Sequence, residues 1–571
     1  MFLWKLNFKV LLILFLFLFI RTLIISFDVN SDYLINPTMK NSDISRFNDN
    51  FFDKNALKLM KPTDSYSLMF STFLGGSSLE QGLCISTDDE GNSYYAGYTL
   101  SSDFPTLNAY DNDFNGNYDV FLTKFNSTGF MVFSTFFGGS DRDYSLGVAV
   151  DVEGNCYITG RTLSSDFPTL NAYDDILNGE GDVFLAKFSS TGTLLFSTFI
   201  GGSNNDNGLD VDVDENGNCY LTGYTESSDF PTLNAYDNSY NNGDAFLVKF
   251  NPTGTLLFST FIGGSNWDVG RSIMADETGN IYLTGYTESS DFPALYAYDN
   301  SYNGDGDTFF TKFSSTGTLL FSTFLGGYHG DFNSELTVDG DGNSFLIGLT
   351  QSSNFPTLNA YDDNFNKTTE LFLVKFNSNG SLVFSTFFGG SEGDSANNIA
   401  VDGQGNCYLT GYTKSTDFPT LNAYDDSHNG GEDIFLVKFN PTGTLLFSTF
   451  VGGNNSDYGK DISVDGNGNI YLIGETYSAD FPTFNAYDEG YNEECDVIIT
   501  IFRNPNNTIT NGSTIKTESE TTSNLDNSSV SIDTTSNLNF SLFDISFIYF
   551  LFIIIHIVIR KRFARCVHKT P

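Results

Sequence analysis

Apolar and polar residues alternate in short runs for most of this chain, and the runs recur. "LCISTD" (Leu83 to Asp88), "SYYAGYT" (Ser93 to Thr99), "DVFLTKF" (Asp119 to Phe125) and "MVFSTFF" (Met131 to Phe137) each have the length and β-branched or aromatic content of a strand. Turn signals separate them. Taken in order as strands A, B, C and D, they form one unit, and "FSTF" marks its recurrence at Phe70, Phe133, Phe196, Phe258, Phe321, Phe384 and Phe447, a period of 63 residues with a single step of 62. Between A and B stands D-x-x-G-N, in seven copies from Asp88 to Asp465, a tight turn whose glycine takes a positive φ angle. Large side chains occupy both faces of strand C, as Phe121 and Phe125 against Val120 and Leu122, so each small sheet needs cover on both sides. Radial packing between two neighbours supplies that cover. The pattern predicts an all-β fold, a seven-bladed β-propeller with four strands per blade.

The repeats start and stop out of phase. A D-type run, "SLMFSTF" (Ser67 to Phe73), precedes the first strand A, and a C-type run, "DVIITIF" (Asp496 to Phe502), has no strand D after it. Pairing of N-terminal strand D with C-terminal strand C would close the ring and leave no free edge. An open solenoid is the competing architecture, and it would need capping repeats that the chain does not show.

The run "GLDVDVDENGNCYLTGYTESSDFPTLNAYDNSYNNGDAFLVKFNPTGTLLFSTFIGG" (Gly208 to Gly264) resembles the SBBP repeat, a β-propeller repeat of microbial surface and secreted proteins. The likeness covers residues 66–502, and it implies a propeller and an extracellular setting without implying a reaction. One departure stands out. Ile501 replaces the strand-C lysine seen at Lys124, Lys187, Lys249, Lys312, Lys375 and Lys438.

The flanks speak about location. Residues 1–27 carry Lys5 and Lys9 ahead of an apolar run, as a signal sequence or signal anchor does, and 28–65 form a polar lead-in. Residues 503–539, rich in Ser, Thr and Asn, read as a stalk. Residues 540–559 are long and apolar enough for a transmembrane helix, and 560–571 form a basic tail that belongs in the cytoplasm. The propeller is then expected outside a cell membrane, held to it through the C-terminal helix. N-x-S/T acceptors lie at Asn126, Asn366, Asn379, Asn454, Asn506, Asn511 and Asn527.

Charge narrows the partners. With 70 acidic against 27 basic side chains the net charge is -43, which repels nucleic acid and favours cations or neutral partners. An extracellular protein or glycan is the expected partner. Of the six cysteines, Cys156, Cys219 and Cys407 share one repeat position, too far apart to bridge in neighbouring blades, and read as small buried residues.

Two acidic patterns are candidate sites. Glu80, Asp143, Asp206, Asp268, Asp331, Asp394 and Asp457 recur between strands D and A, where they would either ring the mouth of the central channel as a ligand site or accept backbone N–H bonds in their own loops. "DNDFNGNYD" and "DNSYNGDGD" place Asp111, Asp113, Asn115 and Asp119, and Asp299, Asn303 and Asp307, at spacings similar to the start of a calcium loop. Calcium is accordingly the cofactor to consider, against solvated acidic loops that bind nothing; the twelfth-position glutamate is missing, and the fifth copy, "DDNFNKTTE", lacks the glycine.

The phrase "SSDFPTLNAYD" (Ser101 to Asp111), repeated between strands B and C, is expected on the long-loop face, with Phe104 and Tyr110 as anchors, as a clamp rather than a ligand contact. Catalysis finds no recurrent histidine and no nucleophile motif, so the chain is read as a non-enzymatic recognition or adhesion module. An architectural surface protein is the alternative, and a hydrolase acting on glycosides the third reading.

Overall fold

The computed structural model describes residues 65–506 apart from 366, 493 and 494, and apart from the Asn333 side chain. The expected signal segment, lead-in, stalk, transmembrane helix and tail therefore lie almost wholly outside the described residues. Among those described, no helix is long and apolar enough to cross a membrane.

Twenty-eight strands make seven four-stranded antiparallel sheets. The first complete blade holds β2 (Glu80–Thr87), β3 (Ser93–Thr99), β4 (Asp119–Phe125) and β5 (Met131–Phe137), hydrogen-bonded in that order, which are strands A to D of the sequence reading. Strands β6 to β25 repeat the arrangement five times between Asp143 and Val451. The last blade is composite: β26 (Asp457–Val464), β27 (Ile470–Thr476) and β28 (Asp496–Arg503) are completed by β1 (Ser67–Leu74) from the other end of the chain. β1 pairs with β28 from Ser67 opposite Arg503 to Leu74 opposite Val497, so the two ends of the repeat array close the ring as expected.

Apolar packing runs between blades rather than within them. One continuous cluster joins Ala96, Leu122 and Phe133 of one blade to Val148, Cys156 and Phe184 of the next. The described cysteines are free and buried, packed as small apolar side chains. The strand-C lysine proves to be an inter-blade strut. Lys124 Nζ lies over the Tyr94 ring at 4.5 Å and donates to the carbonyl of Ser190 in the next blade at 3.2 Å, while Tyr94 Oη donates to the carbonyl of Gly154 at 2.7 Å.

Where the repeated phrase goes corrects one expectation. It does not stay on the loop face but turns back along the outer strand of its own blade. Leu107 exchanges backbone hydrogen bonds of 2.9 and 2.8 Å with Ser134, Ser134 Oγ donates to the carbonyl of Pro105, and Phe136 N–H donates to the carbonyl of Asp111. All seven copies make the Leu107-type bridge or its equivalent, ending with Phe484 beside Ser71. The outer edge of a propeller sheet would otherwise offer unpaired backbone groups to other chains, and the phrase covers it. Phe104 is buried and stacks on Phe121 at 4.8 Å, whereas Tyr110 stays 45% exposed, its edge against Phe137 and Phe188.

Candidate functional site

Three places on the propeller gather polar or aromatic chemistry: the central channel, the blade junctions and the long-loop face.

The channel, about 590 Å³, is lined by the inner strands. Each of these strands carries a β-bulge or register shift, for example between Gly82 and Cys84, between Gly208 and Asp210, and between Gly459 and Asp461. Leu83, Leu209, Arg271 and Lys460, at or within these bulges, line the channel wall. Beside them sit acids that the sequence reading passed over. Asp461 accepts from Ile85 N–H of the neighbouring blade at 2.7 Å and from Ile462 N–H at 2.6 Å, and burial pushes its carboxyl up to about 8. Glu335 is raised to about 7 by burial, although Arg271 Nε stands 3.2 Å away. Asp210 bonds Ile273 N–H at 2.8 Å and is likewise raised by burial. A signal for this wall was available in the sequence: the position runs Cys84, Gly147, Asp210, Ser272, Glu335, Asn398 and Asp461, and so breaks a repeat that is otherwise strict.

The recurrent acids are not in that wall. Glu80, Asp143, Asp206, Asp268, Asp331 and Asp457 are fully buried, and the Asp394 side chain is 1% exposed. Local donors draw each one into its own junction. Asp143 Oδ2 accepts from Gly139 N–H at 2.7 Å and from Ser164 Oγ at 3.0 Å; Thr99 Oγ1 donates to Glu80 at 2.9 Å, and Thr225 Oγ1 donates to Asp206. Of the two arrangements the sequence allows, these contacts match acceptance of backbone N–H bonds within each loop, in seven separate buried sites, and not a ring at the channel mouth.

The calcium-like loops divide in the same way. Asp111 and Asp299 form exposed turns, Asp111 accepting from Asp113 N–H and Asn115 Nδ2, and Asp299 from Ser301 N–H and Asn303 Nδ2. Asp119 and Asp307 are buried instead, accepting from Asn115 and Asn303 N–H at 2.7 and 3.0 Å. No set of three or more His, Cys, Asp or Glu side chains converges as a metal centre among the described residues. What does converge is one acid from each pattern: Asp119 comes to Asp143, and Asp307 to Asp331, across the first glycine of the D-A loop. Asp119 and Asp143 are both raised to about 6, and Asp307 and Asp331 to about 7 and 6, mainly by burial; the charge of Asp143 adds to the shift of Asp119, and that of Asp331 to the shift of Asp307.

The long-loop face collects aromatic rings. Tyr98, Tyr118 and Tyr144 meet at 5.1 to 5.4 Å, Tyr412 and Tyr458 at 4.9 Å, and Tyr224 and Trp267 at 5.1 Å. Around Trp267 the D-A and B-C loops of two blades form a cup of about 410 Å³ lined also by Asn204, Glu226, Tyr240, Asn266 and Glu288.

This geometry defines a closed, seven-bladed β-propeller built from one repeated unit. The family model for SBBP, described as a β-propeller repeat, matches residues 132–168, 195–231, 257–293, 383–419 and 445–482. Among curated proteins it is 21% identical over 526 residues to an uncharacterized WD repeat-containing protein of Acanthamoeba polyphaga mimivirus, covering 74% of this chain and 37% of that protein. It is 23% identical over 439 residues to the regulatory protein FlaEY of Caulobacter vibrioides, covering 71% and 45%. The chain spans less than half the length of either relative. Similar solved structures include the WD40 β-propeller domain of Doa1, with a TM-score of 0.39, 10% identity and coverage of 76% of this chain and 96% of that one. The polysaccharide lyase Uly1 is similar with a TM-score of 0.39, 11% identity and coverage of 75% and 90%.

Proposed function

We propose that the protein is a recognition module that binds a neutral or positively charged glycan or protein through its long-loop face, on the outer side of a membrane to which its C-terminal segment tethers it. The observation that carries this reading is the Trp267 cup. A half-buried indole packed against Tyr224, ringed by the three amides of Asn204, Asn242 and Asn266 and by two carboxylates, offers an apolar platform with a few convergent polar groups. The net charge of -43 selects against anionic partners. Membrane attachment rests on the apolar run 540–559 and the basic cluster after it. Pairing of Ser67 with Arg503 brings both ends of the propeller out at the short-turn end, which leaves the loop face free for a partner.

The function is binding without turnover. An array of glycans and cell-surface proteins probed with the full-length chain and with Trp267→Ala tests it. Selective binding that falls at least tenfold in the variant is expected, since a buried aromatic contact is worth about 1–2 kcal/mol or more. Equal binding by both proteins, or release of product from a bound glycoside, would overturn it.

A further inference from the structure

The seven blade junctions share a construction that neither acidic pattern reveals alone. The first residue of a strand C meets the first residue of the next blade's strand A: Asp119 with Asp143, Asp182 with Asp206, Asp244 with Asp268, Asp307 with Asp331, Asp433 with Asp457, and Asp496 with Glu80 across the ring closure. One oxygen from each acid flanks the same spot, the point where a Cβ on the intervening glycine would lie. At Gly201 these are Asp182 Oδ1 at 2.6 Å and Asp206 Oδ2 at 2.9 Å; at Gly263, Asp244 Oδ1 at 2.5 Å and Asp268 Oδ2 at 2.7 Å; at Gly326, Asp307 Oδ1 at 2.6 Å and Asp331 Oδ2 at 2.8 Å. Asp182 Oδ1, Asp244 Oδ1, Asp307 Oδ1, Asp433 Oδ1 and Asp496 Oδ1 are the atoms aimed at that spot, and they are buried without a hydrogen-bond donor. Two facing carboxylates, one of them with an oxygen that lacks a donor, are costly to bury in ionised form unless they take up a proton or something positive stands between them.

At the seventh junction something does. Glu370 and Asp394 are the pair there, and Lys367 Nζ lies 2.6 Å from Asp394 Oδ2 and 3.7 Å from Glu370 Oε2. Nζ also lies 3.2 Å from the point where a Cβ on Gly389 would stand, so it reaches both acids beside the junction glycine. Lys367 also stands five residues after Asp362, as Gly116 stands five after Asp111 and Gly304 five after Asp299. Two other copies also lack this glycine and carry Asn242 and Glu493 there, so the ammonium group is particular to this junction.

We propose that each of the six remaining carboxylate pairs holds one hard divalent cation, calcium by its chemistry, and that Lys367 takes the place of that cation at the seventh junction. At the first junction a further oxygen lies near one acid of the pair: the main-chain carbonyl of Gly139 and Asp119 Oδ1 stand 2.8 and 2.9 Å from the point where a Cβ on Gly116 would lie. The paired groups themselves are carboxylates, whose oxygens favour a hard ion. Two carboxylates per ion place the affinity in the weak class, a Kd of about 10⁻⁴–10⁻³ M. The inference stands apart from the recognition reading, since it concerns the junctions and not the loop face.

The test compares the full-length chain with Lys367→Met and Asp182→Asn at pH 7.5, by thermal melting in chelator or in calcium and by equilibrium dialysis of calcium. The wild-type chain is expected to melt higher in calcium and to retain up to six ions. Lys367→Met is expected to melt lower than wild type in chelator, to gain more from calcium, and to bind one ion more. Asp182→Asn is expected to bind one fewer. Melting temperatures that ignore calcium in all three proteins overturn the proposal. So does an ion count that is the same in all three, which would mark calcium as a general screen for the negative surface. If Lys367→Met fails to fold in both conditions, the Asp182→Asn count still decides the matter.

Discussion

Ring closure rests on one strand, and its weight can be measured. Replacing Phe70, Phe73 and Leu74 by alanine leaves the length of β1 unchanged while removing what anchors it. The three side chains are 3%, 1% and 0% exposed. Phe73 packs with Ile462, Leu472 and Ile498, while Phe70 and Leu74 pack with Ile85, Phe121 and Ile499 on the opposite face. Truncating a buried phenylalanine costs about 3–5 kcal/mol and a buried leucine about 2–5, so the triple change removes about 8–15 kcal/mol if the sites act independently. That equals the whole net stability of an ordinary domain, about 5–15 kcal/mol. β1 should therefore leave β28, exposing a sheet edge that pairs with other chains. The assay is thermal melting and size-exclusion chromatography of the full-length variant, with a synthetic peptide of residues 65–75 added in trans. Expected are a low melting temperature and soluble oligomers, with partial return of the monomer when the peptide is present. A monomer that melts with the wild type would refute closure as the source of stability.

Two further outcomes follow from single residues. Tyr296 has φ 51° where the other six copies of its loop place asparagine at 47° to 52°, and asparagine tolerates that left-handed backbone and donates its Nδ2 to the outer strand, as Asn108 does to the carbonyl of Val132 at 2.9 Å. Tyr296→Asn should stabilise the protein by about 1 kcal/mol, seen as a higher melting temperature; an unchanged or lower value would mean the loop bears no such strain. Asp461 is raised by burial from 3.8 to about 8 in the folded protein, so the native state holds its proton longer than the unfolded chain does. Its contribution to stability is full below about pH 4 and is lost as pH rises towards 8. Asp461→Asn should therefore match the wild type in melting near pH 4 and exceed it near pH 8, and parallel pH profiles would contradict the assignment.

The blades were legible because strand-forming runs alternate with turn residues whose backbone demands are strict: the D-x-x-G-N glycines, such as Gly91 at φ 77°, do adopt the predicted conformation. The closure was legible because an unmatched strand D and an unmatched strand C can satisfy only each other. Two features were hidden by the same periodicity. A phrase repeated every 63 residues looks like a loop on a face, and nothing in its letters says that Leu107 lies beside Ser134, because backbone pairing along an edge leaves no side-chain signature. Asp119 and Asp143 fall in different patterns because β4, β5 and the turn between them separate the two along the chain; only the fold across Gly138 joins them. In "DDNFNKTTE" Lys367 stands where four other copies have glycine, and its meaning lies in the distance from Nζ to Asp394.

The placement of β28 bears on how the molecule takes load. In its sheet the order is β1, β28, β27, β26, so the strand that leads to the C-terminal residues is bonded to a neighbour on each flank. A pull on that side of the chain acts along two ladders whose hydrogen bonds run across the direction of force, so they must give way together rather than one by one. A pull applied through residue 503 is therefore met in shear, by both ladders at once.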